Sequence, residues 1–129
     1  MIVADCAAVV DALTGLPGTD DLRVTLAEED LHAPTLVDDE VVSALRGLVR
    51  GGHLSTSRAY DALTDFDALS IQRWASAAPL RRRALTLRDN LSAYDAAYVA
   101  LAEALQCPLV TRDSRLVRSR GHDVEIRVV

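Results

Sequence analysis

The sequence contains no lysine: all 14 basic residues in its 129 positions are arginine. This removes every chemistry that needs a side-chain amine, including the phosphate-binding lysine of nucleotide-binding loops, a Schiff base, and the lysine of a phospho-acceptor receiver domain. Aromatic residues make up only 4%, which leaves few platforms on which bases can stack. The only cysteines are Cys6 and Cys107, too few for a disulfide scaffold. No run of about 18 apolar residues occurs, so no membrane-spanning helix is expected. The first residues, MIVADCAAVV, lack a basic segment and carry Asp5, unlike an export signal. The expectation is a cytoplasmic chain with reduced, buried thiols.

Half of the residues are hydrophobic and 26% are charged, the balance of a globular protein. The length is that of one domain, taken as residues 1–129, and is enough to bury a core without staples. Charge is unevenly spread. Residues 1–40 hold ten acids and a single arginine, Arg23, whereas residues 41–129 hold thirteen arginines and nine acids. This pattern fits a solvated mosaic, or an acidic site beside a basic groove.

Apolar periodicity and breakers divide the chain. Met1–Asp5 reads as a buried strand and Cys6–Thr14 as a helix stopped by the Gly15-Leu16-Pro17-Gly18 stretch. Thr19 is placed to cap a helix running to about Glu29, with Asp20 and Asp21 in its first turn. Leu31–Ala33 is a short strand. Thr35 is an N-cap candidate for a helix to about Arg50, and Gly51-Gly52 ends it. Ser55 to about Asp67 is a helix with Tyr60, Leu63 and Phe66 on one side. Leu69–Arg73 alternates like a strand. Pro79 opens a segment containing Arg81, Arg82, Arg83 and Arg88. A strong helix runs from Ser92 to about Leu105. Pro108–Thr111 is a strand, Asp113–Arg120 a short helix stopped by Gly121, and Val124–Val129 a last strand. The order β-α-α-β-α-α-β-α-α-β-α-β predicts an α/β fold with a central, mainly parallel sheet covered on both faces.

In such a sheet, ligands bind beyond the carboxyl ends of the strands. Asp5 ends the first strand, Glu40 lies just inside the helix after the second, Asp95 opens the Ser92 helix, and Asp113 follows the Pro108–Thr111 strand. Each acid alone has a plain structural explanation as a helix cap or capping-box partner, as have Thr35 with Asp38 and Ser92 with Asp95. Glu40 is the exception, because it sits past the capping turn. Four carboxylates brought together repel one another unless a cation joins them. An oxygen-only set with no cysteine or histidine at ligand spacing suits Mg²⁺ or Mn²⁺ rather than Zn²⁺. Such an ion, keeping its waters, serves phosphodiester chemistry. Cys6 faces no evident base. His32, His53 and His122 read as surface or loop residues. Phe66 and Trp74 read as core or dimer-seam residues.

The stretches IVADCAAVVDAL, PTLVDDEVVSALRGL, LSAYDAAYVALAEAL and PLVTRDSRL, in this order, resemble the PIN-domain ribonucleases, and among them the VapC toxins of bacterial toxin–antitoxin pairs. The resemblance covers most of the chain. It implies a PIN-like three-layer α/β/α fold with a twisted central sheet, and a catalytic, metal-holding quartet at Asp5, Glu40, Asp95 and Asp113. Thr111 matches a frequent hydroxyl residue beside the last acid, with a supporting or water-positioning role. The family often has Ser or Thr two residues after the first acid, where this chain has Ala7. The implied reaction is Mg²⁺- or Mn²⁺-dependent endonucleolytic cleavage of RNA by water, leaving 5′-phosphate and 3′-hydroxyl ends. The implied partners are a VapB-type antitoxin that blocks the site, a second copy in a homodimer, and operator DNA reached only through the antitoxin. Arginines near the site serve the phosphates, and Arg112 and Arg115 are the candidates.

Two other readings compete. A phosphatase of the haloacid-dehalogenase type needs Asp-x-Asp and a lysine, and Asp5-Cys6-Ala7 supplies neither. A catalytically silent module that acts only through partner binding or oligomerisation keeps the same fold, and charge-neutral variants of the acids separate it from an enzyme.

Overall fold

The structure, a computed structural model, describes residues 1–129. Five short strands form one sheet: β1 (Ile2–Ala4), β2 (Leu31–Pro34), β3 (Ile71–Trp74), β4 (Leu109–Thr111) and β5 (Ile126–Val128). The order across the sheet is β3-β2-β1-β4-β5. Every neighbouring pair is parallel, so the sheet expected to be mainly parallel is wholly so. Six helices flank it: α1 (Cys6–Thr14), α2 (Asp20–Glu28), α3 (Leu36–Arg50), α4 (Thr56–Ala68), α5 (Ala78–Thr86) and α6 (Ala93–Leu105). A 3-10 turn, Ser114–Arg118, precedes β5.

The inner strands β1, β2 and β4 are buried along their whole length, as a parallel strand with helices on both faces must be. Helix α6, which is alanine-rich and buries Ala96 and Tyr98–Ala102, packs against β1, β2, β4 and α5. Small side chains let that helix lie close to the sheet. Helix α1 meets α2, α3 and α4, and it ends where Gly15 takes the left-handed conformation with φ 67°. One contiguous core includes Ile2, Val9, Val37, Val41, Phe66, Val99, Leu101 and Leu109.

Several expectations are corrected. Thr35 does not cap α3: it is already helical in φ and ψ and makes no side-chain capping bond. The capping box with Asp38 is therefore absent, and Asp38 instead pairs with Arg73 of β3 at 2.8 Å. Tyr60 faces solvent, and α4 buries Ala62 and Phe66 instead. His32 is no surface residue: it is 4% exposed in β2. It bonds Asp30 at 3.0 Å and accepts the Trp74 indole N–H at 3.0 Å. Both cysteines are half-buried rather than buried. The expected helix at Asp113–Arg120 is a shorter 3-10 turn.

Candidate active site

The chain leaves β1 outward to β2 and then β3 on one side. It then returns to β4 on the other side of β1. The carboxyl ends of β1 and β4 therefore flank the point where the winding reverses, where clefts form in open parallel sheets. A cleft of about 610 Å³ lies there, and its lining includes Asp5, Glu40, Asp95, Asp113 and Tyr98. The four acids expected from sequence thus share one cavity, although they come from four separate segments. Thr111 stands beside it at the end of β4.

Each acid is held by its own local structure. Asp5 follows β1 directly, and its Oδ1 accepts the Ala8 N–H at 2.9 Å, so it caps α1. Its Oδ2 accepts the Thr111 hydroxyl. Thr111 is fully buried and its Oγ1 also accepts the Asp113 N–H at 2.9 Å. One hydroxyl therefore links the first acid to the segment carrying the last. Asp95 sits in the first turn of α6, where its N–H donates to the Ser92 hydroxyl at 3.2 Å. The cap and cleft readings hold together: capping fixes the backbone, and the cleft receives the side chain.

Glu40 lies a turn inside α3, and its Oε1 accepts the Tyr98 hydroxyl at 2.7 Å. Asp113 is forked by Arg115, with Nη2 to Oδ2 at 2.8 Å and Nε to Oδ1 at 3.0 Å. Arg112 is committed elsewhere. It pairs with Asp11 at 3.0 Å and donates to the carbonyl of Val129, tying the end of the chain to α1.

The electrostatics are those of crowded carboxylates. Asp5 is pushed up from an ordinary 3.8 to about 6, chiefly by burial, with Asp95 and Glu40 adding repulsion and the Thr111 and Ala8 bonds opposing it. Burial also raises Glu40, against the Tyr98 bond, and Asp95 adds to the rise. Asp113 is lowered by its bonds to Arg115. The Cys6 thiol is pushed up to about 12 by burial and the acids around it, so it stays protonated and is no nucleophile.

No group of three or more His, Cys, Asp or Glu side chains is arranged to hold a metal ion. Asp5, Glu40 and Asp113 each accept a bond from a protein donor. The donor chemistry nevertheless fits a hard divalent cation. It is oxygen-only, it shares one cleft, and it carries the repulsion that a cation relieves.

Tyr98 is the site residue that sequence reasoning missed. The signal was present: Tyr98 follows Asp95 by three positions, so the two share one face of α6.

Comparison with known proteins shows the family and agrees with the fold. Residues 2–121 match the model of the PIN domain family. Ribonuclease VapC9 of Mycobacterium tuberculosis is 45% identical over 129 residues, covering 100% of this chain and 98% of that protein. Ribonuclease VapC12 of the same species is 38% identical, covering 100% and 99%. Among solved structures, VapBC2 from Rickettsia felis bound to a promoter DNA fragment superposes with a TM-score of 0.71 at 14% identity, covering 99% of this chain and 98% of the other. FitAcB from Neisseria gonorrhoeae superposes with a TM-score of 0.68 at 17% identity, covering 98% and 96%. The chain is a PIN domain and belongs to the VapC ribonuclease family.

Proposed function

We propose that this chain is the toxin of a type II toxin–antitoxin pair, a cytoplasmic endoribonuclease that depends on Mg²⁺, with Mn²⁺ as a substitute. The observation that carries this reading is the set of four acids lining one cleft at the winding reversal of a parallel sheet. Asp5, Glu40, Asp95 and Asp113 would hold the divalent cation. When bound, such an ion makes a water nucleophilic near neutral pH and steadies the leaving oxygen. Thr111 fixes the second oxygen of Asp5 so that the first acid keeps its place. One of these carboxylates would also serve as the base that takes a proton from the attacking water. Arg115, whose side chain is 81% exposed at the rim, exchanges Asp113 for a substrate phosphate. Arg112, engaged with Asp11 and Val129, is the weaker candidate for such a contact.

The partner is a VapB-type antitoxin that covers the acid cleft, and operator DNA is reached only through it. Two of the similar folds were solved as toxin–antitoxin assemblies, one with promoter DNA, which supports this partnership. A homodimer is the proposed state of the free toxin.

The test is cleavage of a mixed-sequence RNA by purified chain with Mg²⁺, with EDTA, and with added antitoxin. Asp95→Asn and Glu40→Gln are the controls. Cleavage that needs the metal and both acids, and that stops with antitoxin, supports the proposal. A folded chain that binds antitoxin and leaves RNA intact with Mg²⁺ or Mn²⁺ is instead the silent binding module.

A further inference from the structure

Tyr98 lies within α6 and is 3% exposed. Its hydroxyl makes one hydrogen bond, to Glu40 Oε1 at 2.7 Å, which joins α6 to α3 across 58 positions of sequence. A phenylalanine would bury nearly the same ring, so packing does not call for the oxygen. Glu40 does. A glutamate has several rotatable bonds and, half-exposed in a cleft beside Asp5 and Asp95, is driven outward by repulsion. A neutral phenol donor from the helix that carries Asp95 holds Oε1 without cancelling the charge. No hydrogen bond reaches Oε2, and no buried side-chain polar atom lacks a partner, so Oε2 is accessible to solvent on a residue that lines the cleft.

We propose that Tyr98 is a positioning residue for Glu40: it commits one carboxylate oxygen and presents the other to the divalent cation of the proposed reaction. The inference rests on that reading of the cleft. Beside Thr111, it adds a second side chain that shapes the site without touching the cation.

The test is the affinity of the full-length chain for Mn²⁺ alone, by titration calorimetry, in wild type, Tyr98→Phe, Glu40→Asp and the double variant. Metal-free melting is recorded for each. Partners that orient a metal ligand typically change affinity by about 10–100-fold. Tyr98→Phe is expected to weaken Mn²⁺ binding by about 10-fold, more than any change in melting accounts for. Glu40→Asp keeps the charge but shortens the arm by one methylene, which breaks the phenol contact. Tyr98→Phe should then cost nothing further in that background, and metal-free melting shows that each variant is folded at the titration temperature. If wild type binds Mn²⁺ and Tyr98→Phe binds it equally well, Tyr98 is only a tether between helices and the inference falls alone. Additive losses in the double variant overturn it too. If wild type binds no Mn²⁺, the metal reading of the cleft falls and takes this inference with it.

Discussion

Replacing Asp5 by Asn should stabilise the metal-free protein at neutral pH. Asp5 is raised in the folded state from 3.8 to about 6. A carboxyl group raised on folding is neutral more readily in the native chain than in the unfolded one. Its penalty is therefore absent below the unfolded value and fully present above the folded one. A rise of about 2 units, at 1.36 kcal/mol each, amounts to about 3 kcal/mol at pH 7. At pH 4 the same two values leave only about 0.5 kcal/mol. Asn caps a helix as well as Asp, so the bond to the Ala8 N–H survives, and the amide can still pair with Thr111. Allowing for relaxation and water entry, the expected gain at pH 7 is about 1–3 kcal/mol. For a chain of this size each kcal/mol moves Tm by about 3–5 °C. The assay is thermal unfolding of both proteins in EDTA from pH 4 to pH 8, read as the difference between them. That difference should open across pH 4–6 and then stay level. A variant that melts below wild type at pH 7, or a gap that does not change with pH, refutes the reasoning. Millimolar Mn²⁺ should reverse the order, because a ligand bound only by the native wild type stabilises it by mass action.

Other outcomes follow from named contacts. Ser92→Ala removes the acceptor for the Asp95 N–H and should cost about 1 kcal/mol in urea unfolding. Leu109→Ala empties a fully buried site in β4 and should cost about 2–5 kcal/mol by the same measurement. Arg112→Ala should lower stability by about 1 kcal/mol, since it breaks a half-buried pair with Asp11. Arg115→Ala, at an exposed pair, should leave stability within about 0.5 kcal/mol. In filter binding to RNA at several salt concentrations, Arg115→Ala should reduce affinity and salt dependence more than Arg112→Ala. The reverse ranking would return Arg112 to the phosphate contacts.

The parallel sheet, the element order and the gathering of the four acids in one cleft are legible because they rest on local signals. Short apolar runs ended in Asp5 and Thr111, breakers stood at Gly15, Gly51 and Gly121, and Ser55 and Ser92 were caps that the structure retains. What was missed depended on partners distant in sequence. His32 looked unattached because Trp74, its partner, arrives through the β2–β3 register 42 positions away. The burial of every residue in Leu31–Pro34 is the parallel-strand rule applied to a polar residue. Tyr60 falls on the solvent side because Ala62 sets the phase of α4 together with Phe66, and small residues weigh little in a periodicity count. Thr35 failed as a cap because β2 runs almost directly into α3, leaving no extended residue to hold the capping conformation. Arg112 looked free beside the last acid because nothing in the sequence says that Asp11 and the final residue meet it.

The Thr111 hydroxyl that steadies Asp5 lies 106 positions further along the chain. A chain emerges N-terminus first and folds as it is made. Asp5, Glu40 and Asp95 therefore all exist before β4 can be laid beside β1. Until then Asp5 has no hydroxyl partner and Asp113 has not been added. The cleft needs the segment from Leu109 to Asp113, so chains that stop short of it carry three of the acids without the assembled site.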